Sequence, residues 1–182
     1  MAGNQVSIGT VEGNVNFLPP LGHDVDSIIN KVISEISNAN VKFNFLDRTF
    51  PSSIAKKVSH NNLKDKKYIL LQYKEYSSFI EKAYINIDSL IVNGKQKTLM
   101  ILNEMYFKSL SKLDIDPYEP NIDSVRENAD VILDDVICCL REFVYNSSNV
   151  PDLKENIEIG LNVIVAHSFV ECVVMENPNA SN

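Results

Sequence analysis

Histidine, cysteine and aspartate are among the residue types here that can carry catalysis or hold a metal, and their spacing decides whether they act together. His23, His60 and His167 are far apart and fall at a helix entrance, in an extended joint and inside an apolar stretch. Neither a shared metal site nor a nucleophile–base pair is expected of them, and His167 reads as a core histidine with its hydrogen bonds satisfied. Cys138 and Cys139 are adjacent and lack the two-to-four-residue spacing of zinc ligands. Cys172 lies among apolar residues that raise a thiol's pKa, so all three cysteines read as buried free thiols. Asp114 with Asp116 in a loop, and Asp134 with Asp135 on a helix, resemble Mg²⁺ carboxylates in type alone and read as solvated groups. No glycine-rich phosphate loop is present. The expectation is a chain without catalytic, metal or cofactor-binding residues, and so not an enzyme.

Lys56, Lys57, Lys64, Lys66 and Lys67 form the single basic cluster, with Tyr68 and Tyr73 close by, and are the candidate nucleic-acid contact. A net charge of −7 weighs against a dedicated nucleic-acid surface and favours a solvated helix start. With 182 residues, 45% apolar and 23% charged, the chain can bury a core without disulfides or metal. No charged segment followed by an apolar run opens it, so the expected location is the cytoplasm, off the membrane.

The elements that must position these residues are mostly helical. Residues 5–17 (QVSIGTVEGNVNF) alternate like strands, with Gly13-Asn14 as a turn, and Val41, Phe43 and Phe45 alternate in the same way. Between them Asp24 can cap a helix carrying Val25, Ile28, Ile29, Val32, Ile33 and Ile36. Residues 51–63 read as extended, anchored by Ile54 and Val58, with Asn61 or Asn62 capping the next helix. Ile69, Tyr73, Tyr76, Ile80, Ala83, Ile87 and Leu90 then step in heptads along that one long helix of about residues 62–92. Asn93-Gly94 lets a shorter helix (Leu99, Leu102, Tyr106, Leu110, Leu113) fold back on it. Ser124 and Glu127 form a capping box for the stripe from Val125 to Val144. Asp152 and Glu155 form another for residues 151–178, apolar almost all round and therefore central. The predicted fold is mainly α, a helical bundle with a small N-terminal β hairpin or strand addition. A strand-helix-strand segment at 1–50 would pack with a bundle domain at 51–182.

Several stretches together carry a resemblance: residues 57–63 (KVSHNNL), 68–76 (YILLQYKEY), 79–84 (FIEKAY), and 163–172 (VIVAHSFVEC) closing on 176–178 (ENP). From about Phe50 to Pro178 the chain resembles the C-terminal domain of ABC-three-component, Lamassu-like bacterial defence proteins. The resemblance implies a helical assembly domain, without chemistry of its own, that works beside an effector, an SMC-like ATPase and a small middle component. Where that family carries an effector domain, this chain carries residues 5–17 and an extra helix. The function expected is a non-catalytic interaction subunit or domain of an antiviral complex, a homo-oligomer being possible. The alternative is a small nucleic-acid-contacting sensor using the Lys56 to Lys67 cluster.

Val11, Val15 and Phe17 share one side of an alternating strand and form the candidate partner interface, by strand addition or by an internal sheet with Val41, Phe43 and Phe45. Deleting residues 1–17 distinguishes the two. A recruiting strand predicts soluble, helical, cooperatively melting protein that no longer co-purifies with its operon partners, whereas an internal strand predicts aggregation.

Overall fold

The computed structural model describes residues 25–44 and 46–179, and within them the chain is a helical bundle. Its helices are α1 (Ile28–Ser37), α2 (Ser52–His60), α3 (Lys67–Leu90), α4 (Gly94–Ser111), α5 (Ile122–Glu127), α6 (Ala129–Tyr145) and α7 (Lys154–Val170). The residue 5–17 hairpin, with Val11, Val15 and Phe17, lies outside the described residues. No helix among those described is long and apolar enough to cross a membrane.

The bundle closes around α7. Leu161, Val163, Ile164, Val165, Ala166 and Phe169 are all fully buried and point at every angle of a helix, so neighbours must surround it. α3 covers the largest share, α1 the next, and α6 and α4 complete the wall. Along α3 the heptad seam behaves as its spacing requires for Ile69, Tyr73, Ile80, Ala83 and Ile87, which are buried. The last member, Leu90, is 81% exposed because the helix ends there. Asn93 takes a left-handed conformation (φ 58°) and α4 turns back along α3.

Four expectations are corrected. Residues 51–63 are not extended: Ile54, Lys57 and Val58 share one face of α2, and burying that face stabilises a helix the short pattern concealed. Val41 and Phe43 belong to no strand; they are half-buried in the irregular connection from α1 to α2. Neither capping box forms. Asn121 caps the short α5 with its side-chain oxygen, while Leu153, which accepts no side-chain bond, precedes α7. Nor does Asn61 or Asn62 cap α3: Asp130, in the first turn of α6, accepts the amides of Lys64, Asp65 and Lys66 at 3.0, 2.9 and 2.8 Å. α1 is capped by Ser27, whose Oγ accepts the Ile29 amide, and Asn149 clasps the Ser27 backbone at both N and O.

α2, α4 and α7 end alike, in a left-handed residue followed by a backward hydrogen bond. Asn62, Asp114 and Cys172 hold φ of 54°, 56° and 60°. The next amides, Leu63, Ile115 and Val173, donate to Val58, Leu110 and Ser168. None of the three turns uses glycine. Leu63 and Ile115 are buried on the stem they have just left, and that burial offsets the left-handed cost.

α1 crosses α7 closely at Gly160, where an added Cβ would stand 2.7 and 2.8 Å from the Ile33 γ carbons. Alanine gains about 1 kcal/mol of helix propensity over glycine, but overpacking a filled core costs roughly 1–3 kcal/mol. Gly160→Ala is expected to lower the urea midpoint in spite of its propensity. In Gly160→Ala/Ile33→Ala the loss should be smaller than the sum of the single losses.

Candidate functional site

Two features stand out: a polar cluster beneath the end of α7, and a groove along α4. Tyr73, Glu81 and Tyr84 share the face of α3 that meets α7, and His167 faces them from the last turn of α7. The imidazole is 0% exposed. Its Nδ1 lies 3.2 Å from Tyr73 Oη and 3.8 Å from Glu81 Oε1, and its ring centroid lies 5.2 Å from that of Tyr84. Glu171, one turn beyond His167, completes a group in which one ligating atom from each of Glu81, His167 and Glu171 lies within 4.8 Å of the others. Lys95 from the first turn of α4 reaches both carboxylates, at 3.3 Å from Glu81 and 3.9 Å from Glu171, and lies over the Tyr84 ring.

Burial, reinforced by the Lys95 ammonium, holds the His167 pKa below the usual histidine value against the opposing pull of Glu81 and Glu171. The same burial, with the two carboxylates, pushes Tyr73 up to about 12. His167 is not the satisfied core histidine that its apolar setting suggests: among the described residues its Nε2 has no hydrogen-bond partner, and neither has Tyr84 Oη. The pair His167 and Glu171, four residues apart, was visible in the sequence, but Glu81 is brought to it only by the packing of α3 on α7.

Beside this cluster the chain returns along α2. Lys57 Nζ donates to the carbonyl of Phe169 and sits 4.8 Å from the centre of its ring. Burial lowers the Lys57 pKa, with Cys172, Glu176 and Glu171 pulling the other way. Asn61 pairs with Glu176 through both backbone groups, each at 2.9 Å, and Tyr106 Oη donates to the Glu176 carboxylate at 2.7 Å.

Of the lysine cluster, then, Lys57 is 4% exposed and faces inward, away from any phosphate. Lys66 pairs with Asp134, Lys56 donates to Asn179 at 2.7 Å, Lys64 is exposed and Lys67 half-buried. The five do not converge on one surface contact. The buried-thiol expectation is corrected as well: Cys138 and Cys172 are exposed and Cys139 is half-buried, all three free. Asp134 and Asp135 bind Lys66 and Lys112, and Asp116 accepts the Tyr118 amide at 2.8 Å.

The groove runs along the outer side of α4. One cleft of about 630 Å³ is lined by Leu99, Met100, Asn103, Phe107 and Val173, with Gln96, Glu104 and Glu171 at its rim. A second, of about 610 Å³, continues from Phe107 past Ser111 to Pro117 and Tyr118. Met100 is 55% and Tyr118 84% exposed, and the Tyr118 ring meets Phe107 edge-on at 5.8 Å.

The cluster has a pH signature. The groups facing His167 are Tyr73, Glu81 and Tyr84 from α3, Lys95 from α4 and Glu171 beyond α7. A histidine with a lowered folded pKa takes up a proton on unfolding, so its contribution is complete above the unfolded value of about 6.5 and is lost as pH falls below it. With a chelator present, the unfolding free energy from urea titration is expected to drop between about pH 7 and 5.5, by at most about 1.4 kcal/mol per pH unit, and the urea midpoint with it. His167→Gln should flatten that drop; a wild-type midpoint constant over this range would mean the imidazole is not held neutral.

No protein-family model, no curated protein and no solved structure matches this chain.

Proposed function

We propose that this chain is a non-catalytic assembly subunit or domain of a prokaryotic antiviral defence complex, docking a partner protein along α4. The observation that carries the reading is the groove from Met100 to Tyr118. Its lining recurs at residues 96, 99, 100, 103, 107, 108 and 111, the helical spacing of one face about four turns long, with aromatic and thioether side chains at the centre and charge at the rim. Such a trough suits a helix of another protein presenting apolar residues every three or four positions. Methionine and aromatic side chains adapt to a partner surface at low entropic cost.

The stretches that carry the family resemblance are consistent with a scaffold. Residues 57–63 and 163–178 fasten to each other through Lys57, Asn61, Phe169 and Glu176, and residues 68–84 supply Tyr73 and Tyr84 against His167. They work on one another in the interior, where a fold is maintained, and leave the outer face of α4 for contact.

The test is co-expression with the products of the neighbouring genes. An effector or SMC-like ATPase is expected to co-purify with the wild-type chain, and Met100→Glu/Tyr118→Glu to lose it with the melting temperature unchanged, both side chains being exposed. Undiminished co-purification by that variant would remove α4 as the interface. Salt-sensitive duplex binding abolished by Lys64→Glu/Lys67→Glu would favour a nucleic-acid sensor instead.

A further inference from the structure

We propose that Glu81, His167 and Glu171 form a binding site for a divalent transition-metal ion, which enters by displacing the Lys95 ammonium. One buried imidazole and two carboxylates make a mixed nitrogen and oxygen donor set, suited to zinc and its neighbours rather than to magnesium or calcium, which prefer oxygen alone. The geometry is close to what an ion needs. Atoms bound at 2.0–2.2 Å around one tetrahedral ion stand roughly 3.4 Å apart. Glu81 Oε1 and His167 Nδ1 are 3.8 Å apart, and the set of three lies within 4.8 Å. Rotation of the two glutamate side chains, 46% and 39% exposed, closes that gap without moving a helix.

An independent observation is the imidazole itself. It is wholly enclosed, and although Nδ1 lies 3.2 Å from Tyr73 Oη, Nε2 has no partner among the described residues, so one of its two nitrogens lacks the hydrogen bond a buried histidine ordinarily makes. The place also already holds a cation. Lys95 stands between the two carboxylates on a flexible stem and is 27% exposed, so it can swing to solvent as an ion enters. Glu171 opens onto the α4 groove, which is the route of entry. The remaining ligands of a bound ion would be water from that groove.

The experiment uses the full chain, stripped with a chelator and titrated with Zn²⁺, Co²⁺ and Mg²⁺ by calorimetry and, for Co²⁺, by visible absorption. A parallel chain with Cys138, Cys139 and Cys172 replaced by Ser removes thiols as competing ligands. One Zn²⁺ or Co²⁺ per chain is expected in both, with Mg²⁺ bound far more weakly. Glu81→Gln/Glu171→Gln, which changes no buried apolar group, should weaken Zn²⁺ binding about 100-fold, and Lys95→Met should strengthen it about tenfold by removing the competing charge. The proposal is overturned if neither the wild-type chain nor Lys95→Met binds Zn²⁺. It is equally overturned if binding survives Glu81→Gln/Glu171→Gln, or if Mg²⁺ binds as tightly as Zn²⁺.

Discussion

Enclosing α7 on every side is the constraint that shapes most of this structure. A helix wholly inside a bundle gains apolar burial along its length, of the order of 1.5–3 kcal/mol for each large side chain. Its last carbonyls, however, are taken from water together with its side chains and must find donors. Here the chain itself answers: Cys172, Val173 and Val174 fold back to donate to Phe169 and Ser168. Lys57 brings its ammonium to the Phe169 carbonyl, where the negative end of the helix favours a cation. Lys57 shares its inward face with the apolar anchors of α2. Only a helical turn puts Lys57 beside Ile54 and Val58 on one inward face.

The same enclosure gives His167 its character. Two residues before the carbonyl that Lys57 satisfies, an imidazole is walled in by Tyr73 and Tyr84, and burial lowers its pKa. Glu81 and Glu171 at its edge would favour the charged ring, but Lys95 lies between them and opposes that effect. Two carboxylates, one ammonium and a neutral imidazole thus share a boundary between core and solvent. The arrangement is local in space and scattered in sequence, with contributions from α3, α4, α7 and the turn after it.

That scatter marks the limit of what was legible. Long apolar periodicities were readable because one helix alone carries the signal: the α3 heptads, the α1 stripe, the all-round apolar surface of α7, and Asn93-Gly94 between α3 and α4. Features made by two segments were not. The turn that leads into α3 is held by Asp130, some sixty residues away, whereas the local candidates Asn61 and Asn62 serve the end of α2 instead. Ser124 and Glu127 had the spacing of a capping box, but Asn121, three residues earlier, made the bonds and opened a separate short helix. Glu81 looked like one of many surface acids until packing set it against His167. Lys57 looked like one of five surface bases, and its inward direction was written only in its spacing from Ile54 and Val58.

The turn after α7 joins the two halves of the functional reading. Glu171 belongs to the polar cluster through Lys95 and to the groove through its rim, and Val173, two residues on, accepts Asn103 of α4 at 2.9 Å while lining the same cleft. A left-handed residue, Cys172, sits between them. Glu171 thus stands in a segment whose backbone is fixed at both ends, at Ser168 and at Asn103, and whose side chains form one wall of the groove. The cluster and the groove meet there, within a few residues of the helix on which the whole bundle depends.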